Sequence, residues 1–442
     1  MYISDLALND FRSYREVVLE FEPGVVTFVG ENGQGKTNLV EAIGYLATFS
    51  SHRVAADAAL VRQGAGAGVV RAKVRRGESE TMVEVEIITG KANRARINRG
   101  NARPADLLGI VRTVVFAPED LSLVKGDPAD RRRFLDNLMI QFRPRLASVK
   151  AEYERVLRQR GALLKALQKT RRRGGVVDES SLEVWDDQLA RYGAQIIAAR
   201  AEIIAGLRPH VASYYADVSG GNDVARIDYA ANLDERRNWA LPTAAQLAGE
   251  DGTELADGVV KHETELRDAA AVEAKLRETL REWHGAEIER GVNLVGPHRD
   301  ELELSLGTLP AKGFASHGES WSYALALRLG SWALLRGHES GDWAEHEEPI
   351  LILDDVFAEL DSRRRLRLAQ IIANAEQVFV TAAVGDDLPP LGGIRFAVTR
   401  GKATRLDDGG RTGGEGAPGG VVTDADVGRD VDGGADSVGS DG

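Results

Sequence analysis

Gly30, Gly35, Lys36 and Thr37 follow the order G-x-x-x-x-G-K-[ST], with Glu31, Asn32, Gly33 and Gln34 filling the loop between them. Glycines at these positions let backbone N–H groups turn inward onto phosphate oxygens. A lysine placed here reaches the β- and γ-phosphates of a nucleoside triphosphate, and the threonine hydroxyl can ligate Mg²⁺. The helix opening after the loop adds free N–H groups and a favourable dipole. A glycine-rich turn could match the pattern by chance. The context argues otherwise, because the loop sits between an apolar run, Val25 to Val29, and Leu39, Ile43, Leu46 and Phe49 at helical spacing.

Such a loop needs a metal-holding carboxylate at the end of a second buried strand. "ILILDD" offers one: four apolar residues, then Asp354 and Asp355. Asp354 would hold Mg²⁺ directly or through water. Asp355 would polarise the attacking water. Alone, the two acids could equally be the solvated end of a core strand. "SHGES", Ser316 to Ser320, opens a helix. Ser316 can cap that helix and Gly318 permits close backbone approach. This makes a phosphate sensor or an ordinary cap.

The elements that must position these groups are spread over the whole chain. Loop and carboxylates are roughly 320 residues apart, more than a compact phosphate-loop domain needs, so an insertion must leave the core. Tyr2 to Leu8, Glu16 to Phe21 and Val25 to Val29 read as strands, and alternation from Val69 to Ile97 as an antiparallel sheet; Val111 to Phe116 is another buried strand. From Arg145 the pattern turns helical, with Leu146, Val149, Tyr153, Val156, Leu163 and Leu167 on one face. A second long helix follows "TRRRGG", giving a helical hairpin, and a third spans Thr264 to Ile288. Strand patterns return after Leu294. The expected class is α/β, with residues 1–140 and 293–400 as two halves of one nucleotide-binding head and residues 141–292 as a helical insertion forming a second lobe. Residues 401–442 carry roughly nine acids against four bases and are about one-third Gly, the composition of a disordered tail.

The chain has 442 residues, net charge −12 and no cysteine. That length supports a substantial core. The lack of Cys excludes disulfides, zinc–thiolate sites and Cys nucleophiles. The start has no signal-peptide pattern, and no run approaches the roughly 20 apolar residues of a membrane span. The expectation is a soluble, cytoplasmic protein without a membrane partner.

These residues resemble the ABC-type ATPase heads of the SMC and Rad50 group, and within it a bacterial recombination-repair branch. The resemblance covers nearly all of residues 1 to 400. It rests on "LNDFRSYREVVLEFEPGVVTFVGENGQGKTNLVEAIGYLATFSSHR", "VVFAPEDLSLVKGDPADRRRFLD", "LVGPHRDEL", "FASHGES" and "LILDDVFAELD". It implies that two protomers sandwich two ATP molecules, with Ser316, Gly318 and Glu319 of one capping the γ-phosphate held by the other. It places Arg12 near the nucleotide and assigns Glu359, Leu360 and Asp361 to a D-loop crossing the dimer interface. Pro118 to Asp120 would report nucleotide state to the rest of the head. "SHGES" departs from the transporter-type "SGGQ", which leaves the role of Glu319 open. Asp355 replaces the usual Glu and is one methylene shorter, which suggests slow hydrolysis. Thr381 stands where a switch histidine is common. Both features fit the recombination-repair branch.

The resemblance further implies a weak, DNA-dependent ATPase of recombinational repair and replication restart. Its expected partners are double-stranded or gapped DNA, a RecR-type mediator that helps load a RecA-type recombinase, and a second copy of the chain bound in an ATP-dependent homodimer. It also implies a link to the SOS response and work at the nucleoid. Lys91, Arg94, Arg96, Arg99 and Arg103 form the leading candidate strip for DNA phosphates, with Lys169 and Arg171 to Arg173 as another; either could be solubilising charge. Arg131 to Arg133, His298 and Arg299 fit internal pairing better. No nuclease or base-reading module is visible, so the target would be DNA structure rather than sequence. The rival readings are a chromosome-holding SMC-like ATPase, which needs a longer coiled-coil arm, and a transporter subunit, which needs a shorter insertion and a transporter-type signature.

Overall fold

The structure is a computed structural model that describes residues 1–54, 56–220, 223–233, 263–337, 348–383 and 388–406. Residues Met1–Arg405 form one compact unit; a second begins at Leu406. The tail from residue 407 and most of the acidic stretch near Glu250 lie outside the described residues.

The chain opens with β1 (Tyr2–Phe11) and β2 (Tyr14–Glu20), then β3 (Gly24–Val29) and α1 (Lys36–Thr48). Next come β4 (Ala67–Arg76), β5 (Ser79–Ile88), β6 (Arg94–Ile97), β7 (Gly100–Ala102) and β8 (Thr113–Phe116). The helical part holds α2 (Pro128–Phe142), α3 (Leu146–Arg172), α4 (Glu183–Ser219), β9 (Ala225–Ala230) and α5 (Ala269–Arg290). The last part holds β10 (Glu301–Leu306), β11 (Leu309–Pro310), α6 (His317–Arg336), β12 (Ile350–Leu353), α7 (Ser362–Ile372), β13 (Gln377–Ala382), β14 (Ile394–Thr399) and β15 (Lys402–Leu406).

Three sheets result. One is antiparallel, in the order β2-β1-β4-β5-β6-β7. The second is assembled from both chain ends in the order β15-β14-β3-β13-β12-β8, with β3 pairing in parallel to β13 and β14. The third joins β11, β10 and β9. The apolar run of β12 follows from its place in the second sheet. Ile350 and Ile352 join the core beneath the antiparallel sheet and α1, while Leu351 and Leu353 join the core with α2, α4 and α6. A strand buried on both faces has no polar side to alternate with.

The inserted helices pack tightly on the head. A Cβ on Gly206 of α4 would lie 2.8 Å from Leu334 of α6, and one on Gly330 of α6 would lie 3.1 Å from Leu207 and Val211. At the centre of the helical part, the fully buried Arg160 donates to Asp186 and Glu287, each at 2.6 Å, and to Asn293 at 2.8 Å. The ion thereby joins α3, α4 and α5, and all its partners are hydrogen-bonding acceptors, as a buried charge requires.

Element ends differ from the sequence expectations at several points. Phe49 packs against the same core as Leu39, Ile43 and Leu46 but lies just past the helix, closing α1 in a left-handed conformation with φ 50°. The expected third helix is interrupted at Asp268: residues 263–267 are helical, and α5 starts afresh at Ala269, where the Asp268 carboxylate accepts hydrogen bonds from Ala270 and Ala271 N–H and caps it. Residues 401–406, expected to begin the tail, are a turn and the strand β15.

Candidate nucleotide site

The loop after β3 is shaped by close contact with two other segments. A Cβ on Gly30 would sit 2.2 Å from the Val398 carbonyl of β14, and one on Gly35, at φ 114°, 2.9 Å from Ser13 Oγ. No side chain fits at either position. Gln34 is held from the far end of the chain: its side-chain oxygen accepts from Arg400 N–H at 2.7 Å, and its carbonyl accepts from Gly401 N–H at 3.1 Å. Lys36 is buried, and its ammonium donates to the carbonyls of Gly30 (2.7 Å) and Glu31 (3.1 Å). A cation is thus fixed among the loop's backbone groups, beside the start of α1.

The acids lie directly behind the loop. Thr37 Oγ1 donates to Asp354 Oδ1 at 3.0 Å, and Thr381 Oγ1 donates to the same oxygen at 2.6 Å. Thr381 Oγ1 also accepts from the Asp355 N–H at 2.9 Å. One hydroxyl on β13 therefore holds the Asp354 carboxylate and the Asp355 backbone at the end of β12. Asp355 has a left-handed φ of 52°, which turns the chain sharply at that point. Burial raises its pKa, the neighbouring Asp354 raises it further, and Lys36 opposes both. Hydroxyl and carboxylate oxygens from Thr37 and Asp354 are the hard donors that suit Mg²⁺, which commonly takes one or two protein ligands and keeps several waters.

Arg12 approaches from the β1–β2 turn at φ 52°. It makes paired hydrogen bonds to the buried Glu41 of α1, at 2.8 and 2.6 Å, and donates to the Ala59 carbonyl at 2.9 Å. The family resemblance marks Arg12 for the nucleotide; in the structure its guanidinium is engaged by Glu41, a partner with no sign in the sequence. Thr381 was noted only as a replacement, and the anchoring of Gln34 had no local sign.

Ser316 caps α6. Its Oγ accepts from Glu319 N–H at 3.3 Å, and the Glu319 carboxylate accepts from Ser316 N–H at 2.7 Å. These bonds hold the Glu319 pKa below the ordinary value. Asp361 caps α7 by accepting from Arg364 N–H at 3.0 Å. A Cβ on Gly318 would lie 3.1 Å from the Arg364 guanidinium, so the capped turn of α6 and the start of α7 are neighbours. Glu359 and Asp361 face outward while Leu360 is buried. Asp120, after β8, pairs with Arg328 of α6 at 2.5 Å, tying the Pro118–Asp120 turn to the same helix.

The basic strip lies on β6, β7 and their connections. Arg96 pairs with Glu84 at 3.0 Å, Arg94 with Glu86 at 3.6 Å and Arg103 with Asp106 at 2.8 Å. Lys91 and Arg99 are exposed and make no ion pair among the described residues. Arg131 is buried against Glu301 at 2.7 Å. His298 hydrogen-bonds Tyr153 at 2.7 Å, and Arg299 donates to the Asn293 carbonyl. No helix among the described residues is long and apolar enough to cross a membrane.

A phosphate loop, a doubled carboxylate at the end of a parallel strand one removed from the loop's own, and a capped helix make this an ABC-type ATPase head. The family model of the RecF/RecN/SMC N-terminal domain matches residues 2–387. The DNA replication and repair protein RecF of Beutenbergia cavernae is 57% identical over 411 residues, covering 92% of this chain and 100% of the relative. RecF of Streptomyces avermitilis is 52% identical, with the same coverage. Among solved structures, that of the recombination mediator protein RecF with ATP, in the RecFOR pathway, superposes with a TM-score of 0.76 at 25% identity, covering 92% of this chain and 98% of the other. The chain belongs to the RecF family.

Proposed function

We propose that this chain is an ATP-dependent DNA-binding protein of recombinational repair and replication restart, working as a slow ATPase. The observation that carries the reading is the convergence of Thr37 and Thr381 on one oxygen of Asp354, with Asp355 alongside. Relatives named DNA replication and repair protein RecF supply the biological setting. Residues 30–37 cradle the triphosphate of ATP through backbone N–H groups, and Lys36 exchanges loop carbonyls for phosphate oxygens. Thr37 and Asp354 hold Mg²⁺, which supplies charge neutralisation for the β- and γ-phosphates. Asp355, its proton affinity raised by burial, takes the proton of the attacking water.

Ser316, Gly318 and Glu319 act on the nucleotide of a second copy, and Glu359 to Asp361 meet that copy at the interface. The exposed, capped turn that carries the first set supports this assignment. ATP thereby closes a homodimer on double-stranded or gapped DNA, and hydrolysis releases it. Such a clamp serves a RecR-type mediator that loads recombinase, and its occupancy connects to the SOS response.

The test is molar mass in solution, with and without ATP and a double-stranded DNA fragment, for wild type and Ser316→Arg. An ATP-dependent dimer that retains DNA, lost in Ser316→Arg, is the expected result. A wild-type chain that binds ATP yet stays monomeric and releases DNA would overturn the clamp.

A further inference from the structure

His52 lies just beyond α1, in the segment "SSHR", and has no role in the site so far described. Its Nε2 is buried and has no hydrogen-bond partner among the described residues. That nitrogen sits 3.8 Å from Asp354 Oδ2. The other oxygen of Asp354 already receives both threonine hydroxyls. The unpartnered nitrogen thus faces the second oxygen of Asp354 across a gap slightly too long for a direct hydrogen bond.

The turn holding His52 is fixed without its ring. Ser51 Oγ donates to Glu41 at 2.5 Å and accepts from the N–H groups of Arg53 and Val54. Arg53 donates to Asn38 at 3.1 Å. The imidazole is therefore held at the carboxylate by its backbone while its own polar atom stays unused. His52 also borders a cavity of about 110 Å³ that Thr48 of α1, Glu119, Asn137 and Gln141 line. That volume exceeds the roughly 10–15 Å³ a water needs, so the ring has space to turn and polar groups to exchange with. An unpaired buried nitrogen costs free energy, which a structural packing residue would avoid.

We infer that His52 is a positioning residue for Asp354, a deepening that rests on the metal-holding role assigned to that carboxylate. With the proton on Nε2, the ring donates toward Oδ2 after a small rotation or through one water. The two threonines fix one oxygen and His52 fixes the other, so the carboxylate plane is set from both sides. Groups that orient a metal-holding residue in this way typically change metal affinity about 10–100-fold when removed.

The test measures binding of a fluorescent ATP analogue in EDTA and across a Mg²⁺ titration, with Mn²⁺ binding to the ATP complex followed by electron paramagnetic resonance. His52→Ala is expected to raise the Mg²⁺ and Mn²⁺ concentrations at half-saturation by about tenfold or more, with metal-free affinity within about twofold of wild type. His52→Gln, which restores an N–H at similar reach, recovers most of the loss. Asp354→Asn separates the two levels of the argument. A shift in Asp354→Asn without one in His52→Ala overturns the role of His52 alone. No shift in Asp354→Asn removes the metal-holding reading and this inference together. Equal losses with and without metal in His52→Ala, unrepaired by Gln, mark a packing residue and also overturn it.

Discussion

The Arg12 guanidinium lies on the Glu41 carboxylate in two hydrogen bonds, at 2.8 and 2.6 Å, and so joins the β1–β2 turn to the first helix after the phosphate loop. The Glu41 side chain is fully buried and that of Arg12 is 16% exposed. Removing one partner of a buried pair costs about 3–5 kcal/mol; Ser51 and Arg53 also reach Glu41 and soften the loss. We expect Arg12→Ala to lower unfolding stability by about 2 kcal/mol in urea titration. A loss of ATP affinity at unchanged stability would instead show that Arg12 acts on the nucleotide and not on α1.

Thr381→Val should change the pH profile of ATP hydrolysis. Asp355 must be deprotonated to act as a base, and its pKa is raised, mainly by burial and then by Asp354. The Thr381 hydroxyl is among the groups that lower it. Its removal moves the acid limb of kcat to higher pH. Rates measured from pH 5 to 8 check this, and an acid limb that stays in place would exclude Asp355 as the titrating base.

The basic strip predicts a graded salt response. Each phosphate contact contributes about 0.9 to the slope of log K against log salt. Lys91→Ala and Arg99→Ala, which remove exposed charges without ion pairs, should each reduce the slope for double-stranded DNA by about one. Arg96→Ala should reduce it less, since Glu84 already holds that side chain. Anisotropy titrations at several salt concentrations decide it. A double variant with the wild-type slope takes the strip out of the DNA interface.

His298 makes the fold sensitive to mild acid. Burial lowers its pKa to about 4 from an ordinary 6.5, and Arg299, Arg132 and Arg160 add to the effect. The unfolded chain takes up a proton below about pH 6.5 that the folded chain refuses until about pH 4. Stability is therefore full above the unfolded value and falls as pH drops through that window, by up to about 3 kcal/mol. Melting temperatures between pH 7 and 5 should converge less steeply for His298→Asn than for wild type. Parallel pH slopes would show that other groups set the acid response.

The phosphate loop and the doubled aspartate were legible because their chemistry demands particular residues side by side in sequence. The buried strands around them were legible from apolar runs. What escaped depends on pairs remote in sequence. Nothing near Gln34 indicates that Arg400 and Gly401 hold it, and nothing near Arg12 singles out Glu41. The ion cluster at Arg160 gathers acids from two other helices, and a charged residue on an amphipathic helix reads as surface unless those acids are known to face it. The start of α5 could have been found locally, since Asp268 is a strong cap before an alanine run.

The strand that leads into the phosphate loop has both its neighbours, β13 and β14, near the far end of the chain. On a ribosome moving at about 5–20 residues per second, β3 emerges tens of seconds before either neighbour exists. Until then the loop lacks the Val398 carbonyl, the Arg400 and Gly401 amides and the Thr381 hydroxyl that complete it. The proposed nucleotide site is thus complete only once the chain through Gly401 has emerged, and a product terminated before β13 would lack the groups that finish its loop.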